Sequence, residues 1–413
     1  MKYNGLYFCV LLTLISQISK ANEDTKYEEL KNKLYDIQAE MNEITRKMEI
    51  NNQQQSKINE TEKLIDQAEF KFYGNIRMDA AYDFKGTTRS VGNKTGSVPL
   101  SNVNSQKNAL NVSVATSRFG VDIIKQTSIG KMSGKLEADF MGGNGDNGDG
   151  SVRVRHAYFS LGHWLIGQTT SPFVNLDTTP SLADFTGAMG TGAQRNVQLQ
   201  YRSVIDDKQN IITALEGGDI ENSRVSGGSR LPALTSRYEF RTKENLFQVH
   251  AMLHENRVKV DSKQDEKKWA WGIGIGAKHQ LDQSNTFILN AYHVVGDNRY
   301  MSYSKNNDAF LINNKGDISQ SAYNLFQLGY IHKWNDKFRS TFSIAQLKYE
   351  NDSDFSENNL EQNKKMINVV SNLFWSPTSN IDMGVEYTYG KRTTFSDLYG
   401  ELSRINLLAK YSF

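Results

Sequence analysis

Ser403-Arg404-Ile405-Asn406-Leu407-Leu408-Ala409-Lys410-Tyr411-Ser412-Phe413 is the stretch that decides the fold. Ile405, Leu407, Ala409, Tyr411 and Phe413 share one parity; Arg404, Asn406, Lys410 and Ser412 share the other. A period of two is a strand with one apolar and one polar face. The stretch ends on an aromatic carboxy-terminus. In hydrocarbon only a closed barrel satisfies the hydrogen bonds of strands, so in an exported protein this pattern reads as the closing strand of an outer-membrane barrel. A single amphipathic strand also suits a soluble sandwich, and the rest of the chain has to separate the two.

The amino terminus argues for export. Lys2 gives a positive start, Leu6 to Ile15 is an apolar core, and Ser19-Lys20-Ala21 places small residues around a cleavage point. Residues 1–21 read as a secretory signal peptide, too short in its apolar run to span a bilayer. Cys9 lies inside that run, whereas a lipid-modified cysteine would follow it. Cleavage after Ala21 removes the only cysteine, and with it any disulfide within one chain or thiolate metal site. It also removes Lys2 and Lys20 from the 48 basic residues, leaving 46 against 46 acidic ones. A formally neutral chain carries no global field for nucleic acid. Mean hydropathy is −0.57, and no second apolar run has spanning length, which excludes a helical membrane protein. A barrel is compatible with such polarity because only alternate strand residues meet lipid. Five prolines in 413 residues, with 11% aromatics, suit long uninterrupted strands.

Residues 22–69 form a different region. Tyr27, Leu30, Leu34, Ile37, Met41, Ile44 and Met48 follow one another at spacings of three and four without error, an a/d heptad seam. The register continues through Asn51, Gln55, Ile58, Glu62 and Ile65, so the seam turns polar halfway. A lone helix packed on a domain shows a similar stripe, but this one is narrow and precedes every strand. It predicts an intermolecular coiled coil, about 55–60 Å long at the α-helical rise, as a periplasmic stalk.

From Phe70 to Phe413 the period is two. Candidate strands number about sixteen, beginning with Phe72, Ile76, Met78, Ala80, Tyr82 and Phe84 on one face and Lys71, Asn75, Arg77, Asp79 and Asp83 on the other. The second carries a phase slip between Val114 and Phe119 that predicts a bulge or a strand boundary within it. Long connections near 85–107, 142–150, 171–194, 218–232, 255–267, 296–320, 350–362 and 392–399 alternate with short turns. Short turns on one rim and long loops on the other define an all-β transmembrane fold: an antiparallel up-and-down β-barrel preceded by an α-helical coiled coil.

The polar parity carries the candidate chemistry. Arg77, Arg202 and Arg237 fall on it, with Arg241, Arg339, Arg404 and Lys410; Arg118, Arg153 and Arg155 can be placed there too. Most of these are lumen residues balanced by Asp79, Asp83, Glu137, Asp139 and Glu239. A ring of guanidinium groups in a narrow pore nevertheless favours anions. The connection 171–194 holds Phe173, Leu176, Leu182, Phe185 and Met189, too apolar for water; it predicts a constriction loop folded inward, with Asp177 and Asp184 as its charged members. A lid against a neighbouring subunit is the alternative.

Apparent catalytic motifs fail on context, so no enzyme, cofactor or metal site is expected. Gly143 to Gly148 satisfies G-x-G-x-x-G, but a strand rather than a helix follows, and the loop lacks the distal Glu of an EF-hand. His250 and His254 on a strand would stand about 13 Å apart, too far to share a metal.

Arg155-His156-Ala157-Tyr158, Leu165 to Phe173 (Leu-Ile-Gly-Gln-Thr-Thr-Ser-Pro-Phe) and Arg195-Asn196-Val197-Gln198-Leu199-Gln200-Tyr201-Arg202 resemble the DcaP-like family of Gram-negative outer-membrane porins. The amino-terminal coiled coil is also a feature of that family. The resemblance implies a homotrimer of sixteen-stranded barrels, a periplasmic stalk, and uptake of small anionic solutes such as dicarboxylates. It adds Arg195 to Arg155 and Arg202 as arginines of the anion path. Thr170 stands where the family would place an aromatic residue. The expected function is passive diffusion across the outer membrane through an arginine-lined lumen. The alternatives are a general non-selective porin and an outer-membrane protein tethering the envelope to a periplasmic partner through its coiled coil.

Overall fold

A computed structural model describes residues 24–66, 68–143, 150–192, 194–217, 230–258, 265–351 and 353–413. The expected signal peptide, residues 1–21, and the tip of the connection 142–150 lie outside them. The chain divides into two compact units at Ala68/Glu69, each described by itself.

Among its described residues the first unit is one helix, α1 (Asp24–Asp66). Of its apolar seam, Tyr27, Ile37, Met41, Ile44 and Met48 are exposed, Ile44 keeping 53% of its surface, while Leu30 and Leu34 are half-buried. Ion pairs such as Lys33–Glu29 and Lys47–Glu43, at i,i+4, decorate its flanks.

The second unit is a sheet closed on itself. Its strands are β1 (Ala68–Lys85), β2 (Ala109–Ser113), β3 (Arg118–Thr127), β4 (Gly130–Gly142), β5 (Ser151–Leu161) and β6 (Trp164–Thr170). They continue as β7 (Arg195–Val204), β8 (Gln209–Glu216), β9 (Ala233–Arg241), β10 (Asn245–Val258), β11 (Glu266–Gln280) and β12 (Asn285–Val295). After a small outer hairpin, β13 (Phe310–Ile312) and β14 (Ile318–Gln320), come β15 (Ala322–Lys333), β16 (Phe338–Tyr349), β17 (Asn363–Thr378), β18 (Ile381–Thr394) and β19 (Tyr399–Ser412). Each barrel strand pairs antiparallel with the next, and β1 closes the ring on β19 with Met78 opposite Ala409. β2 and β3 both pair with β1 and occupy one position, so the barrel has sixteen.

The phase slip expected in the second strand is real, but it is a break rather than a simple bulge. Residues 114–117 leave the ladder in a turn closed by Ser117 N–H donating to the Val114 carbonyl, and pairing resumes at Arg118. Among the described residues several long connections hold structure of their own, including the hairpin β13–β14 and a single turn of helix, α2 (Asp354–Glu357), capped by Ser353.

The faces are inverted relative to a soluble barrel. Ile76, Met78, Tyr82, Phe287, Phe342 and Leu407 are exposed on the outside, whereas Asp83, Asn290, Gln327, Glu386 and Arg404 are wholly buried inside. Period-two polarity in lipid demands that arrangement. Among the described residues no helix is long and apolar enough to cross a membrane.

Candidate functional site

Residues 171–192 run inside the barrel. Lumen side chains from one strand after another hold their backbone. His250 on β10 bonds the Pro172 carbonyl through Nδ1 at 2.9 Å, and Asn290 on β12 donates to the Thr178 carbonyl at 2.6 Å. Asn372 on β17 donates to Ser181 at 3.0 Å, and Gln327 on β15 to Met189 at 2.6 Å. Glu386 on β18 accepts the backbone N–H groups of Ala183 and Asp184 at 2.7 and 3.1 Å. Arg77 on β1 donates to the Ala183 carbonyl at 2.7 Å. A loop with no ladder of its own needs such partners for its buried polar groups.

Phe173 and Met189 are fully buried at the loop's two ends, Phe173 against the rings of Tyr292 and Tyr300 at 5.6 and 5.3 Å. Room for this comes from glycine. On β11 the inward positions are Ala270, Gly272, Gly274 and Gly276, alternating with outward Trp271, Ile273 and Ile275. A Cβ on Gly272 would lie 2.6 Å from the Phe173 ring, and one on Gly276 2.6 Å from the Thr178 hydroxyl. Gly329 on β15 does the same under Pro180, at 2.7 Å.

The opposite wall is ionic. Arg155 donates to Glu137 and to Asp139, both at 2.7 Å; Arg153 forks onto Asp139 at 2.9 and 2.7 Å. Arg118 lies 3.4 Å from Glu137 without the alignment of a hydrogen bond, and Arg77 forks onto Asp79. The register of β4 against β5 skips Arg155: Glu137 faces His156, and Ala138 faces Val154. That bulge turns both Arg155 and His156 inward, and His156 Nδ1 meets the Thr169 hydroxyl at 2.9 Å. Asp79, Glu137 and Asp139 are nearly inaccessible, so each carboxylate sits behind the guanidinium it fixes.

Between wall and loop lies a cavity of about 760 Å³. Arg77, Arg118, Arg153, Arg155, Arg195, Arg299, Lys94 and Lys410 line it, and among the described residues Asp184 is the one acid that does. Leu176, Pro180, Leu182 and Phe185 form the loop's side of it. Burial pushes the Asp184 carboxyl up, while Arg404 at 3.7 Å pulls it down.

Five of the seven expected arginines meet in this cavity. Arg195 does so although it shares parity with exposed Val197 and Leu199, because β7 begins there, where the chain leaves the inward loop. Arg202 is exposed at the turn end of β7, and Arg237 lies with its Nε 3.8 Å from Glu239; neither lines the cavity. Asp177 instead pairs with Arg241 at 3.4 Å, where both are half exposed. Arg404 is wholly buried, bonded to Asp83 and to the carbonyls of Ser90 and Val91. Lys94 and Arg299 were not foreseen. They arrive on the connections 85–107 and 296–320, and nothing local marks them, since Arg299 is set by its fork onto Asp297 and its place over the Tyr300 ring.

A closed antiparallel barrel with an apolar exterior, a charged lumen and a loop crossing that lumen defines an outer-membrane porin. The sequence matches the DcaP outer membrane protein family over residues 15–413, and the chain belongs to that family. Its fold is similar to the outer membrane channel DcaP of Acinetobacter baumannii, with 27% identity, a TM-score of 0.77, and coverage of 84% of this chain and 98% of that one. An anion-selective porin from Comamonas acidovorans shares the fold at 12% identity and TM-score 0.56, covering 84% and 100%. So does OmpT of Vibrio cholerae in its trimer form, at 13% identity and TM-score 0.51, covering 84% and 99%. No curated protein matches the sequence.

Proposed function

We propose that this porin passes small anions by passive diffusion, and that the cavity between the arginine wall and the inward loop is where it selects them. The observation that carries this reading is the imbalance of the lining, eight cationic side chains against Asp184. The acids that would cancel it stand behind the arginines. In a narrow, partly desolvated passage a fixed excess of positive charge lowers the barrier for anions and raises it for cations. Forked arginines suit carboxylates in particular, which makes dicarboxylates the solutes to try first. The relationship to an anion-selective porin is one of fold alone and adds only that such a barrel can carry this chemistry.

Homotrimeric assembly through α1 belongs to the same proposal: an a/d seam whose Tyr27, Ile37, Met41, Ile44 and Met48 stand exposed in one chain would be covered by its counterpart in another. Planar-bilayer conductance of the refolded mature protein tests the reading. Anion-directed reversal potentials in a salt gradient, with block by succinate, are expected. Cation-directed potentials indifferent to succinate would leave a general porin, and no conductance from a folded barrel would shift the weight to envelope tethering.

A further inference from the structure

The outer face of the barrel is not uniform. Along the lipid-facing side of β12 run two hollows of about 480 and 400 Å³. The first, nearer the long loops, exists because Ala291 is small: in the pairing register it lies between Ile275 on β11 and Phe326 on β15, both larger. The second continues toward the short turns past Leu289, Phe287 and Tyr330 and is almost wholly apolar.

The next row of the register toward the long loops is polar. His293 faces Asn324, with Nδ1 2.9 Å from its Oδ1; Asn324 faces Lys348; Lys348 faces Lys365. Two lysines directly opposite on one sheet face destabilise each other. Among the described residues neither forms an ion pair, although Lys364 next door finds Asp397 at 3.0 Å. Lys348 continues an outward line of Phe342, Ile344 and Gln346, which places its ammonium where the apolar band gives way to headgroups.

This face is suited to lipid rather than to a neighbouring barrel. A strand needs about 9–11 residues to cross the hydrocarbon. β6, at 7, falls short of that, whereas β11, β12, β16 and β17 have 15, 11, 12 and 16.

We propose that the barrel carries a site for a phosphorylated lipid of the outer leaflet, with phosphate between Lys348 and Lys365 and an acyl chain laid over Ala291. The phosphate supplies the negative charge that the lysine pair lacks, and the chain fills a hollow that would otherwise be an uncovered defect in the apolar wall.

The test is native mass spectrometry of the full mature protein in detergent, titrated with diphosphoryl lipid A. Wild type is expected to retain the lipid, and the double variant K348Q/K365Q to bind it about tenfold or more weakly. Ala291→Phe, which keeps both lysines and fills the hollow, is expected to weaken it as well, with conductance unchanged in all three. Equal retention by the three proteins overturns the proposal, as does equal retention of a dephosphorylated lipid A by wild type. Protection by inorganic phosphate alone, undiminished in Ala291→Phe, would make this an ion site and overturn the lipid. A change of oligomer size in the variants would assign the face to a contact between copies and overturn it too.

Discussion

Arg155 and Arg118 share Glu137 but are held very differently, and the contrast separates selectivity from stability. Arg155 is buried and makes charged bonds to two carboxylates, whereas Arg118 is partly open and makes one poorly aligned contact. Removing one partner of a buried pair costs about 3–5 kcal/mol; here Arg118 and Arg153 remain on the same carboxylates, so Arg155→Gln should lose less, about 1–3 kcal/mol. That loss is expected in urea unfolding, together with a reversal potential moved toward cations. Arg118→Gln should shift the reversal potential with unfolding almost unchanged. If both variants keep wild-type selectivity, the wall does not choose the solute. Alternation along β1 made Arg77 legible as a lumen residue, because period two is a local property; Arg118 follows the break before β3 and Arg155 sits at the bulge of β5, so the rule placed them less securely. Which of them reach one cavity was not legible: Arg195 sits on the apolar parity, and Arg202 obeys the rule yet stays at the turn.

At the scale of the element, the inward loop and the glycine stripe beneath it form one unit. A valine at Gly329 places atoms where Pro180 now lies, and overpacking of this kind costs about 1–3 kcal/mol. Gly329→Val is expected to lift the loop from the wall and raise single-channel conductance, the barrel still showing a folded band in unheated electrophoresis; an unchanged step size would refute the loop's role in narrowing the pore. The loop's apolar residues made its inward course readable, since exposed apolar surface is costly. Its seat was less so, although the run Trp271-Gly272-Ile273-Gly274-Ile275-Gly276 carries the signal: glycine on every inner position means that something else fills the space. The helix α1 offers a cleaner test. Cys9 is the chain's one cysteine, so Ile44→Cys in a protein lacking residues 1–21, otherwise thiol-free, should cross-link chains under mild oxidation. Only monomers on a non-reducing gel would sink the intermolecular coiled coil.

For the whole molecule, the number of strands, the alternation of long and short connections and the closing role of the last strand were all readable, because each rests on pattern rather than on contacts between distant side chains. The break at residues 114–117, the turn of helix at Asp354–Glu357 and the arrival of Arg299 in the lumen depend on such contacts. Closure itself invites a measurement. Gly74 and Phe413 exchange backbone hydrogen bonds at 3.0 and 3.1 Å, and a Cβ on Gly74 would touch the Phe413 ring at 2.7 Å. Deleting Phe413 removes both bonds and the ring, about 1–3 kcal/mol in all. Refolding into detergent, followed by the electrophoretic shift of the folded form, should be slower and less complete; wild-type kinetics would show that the seam is fixed elsewhere.

The seam between β1 and β19 also sets an order of events. Its two sides are the first and the last barrel strands to emerge during export, so for most of that passage the sheet has two free edges and no interior. Pairing across such a separation is slow, and an open edge invites other chains. The pore therefore exists only once these two edges, the most distant in the chain, have met.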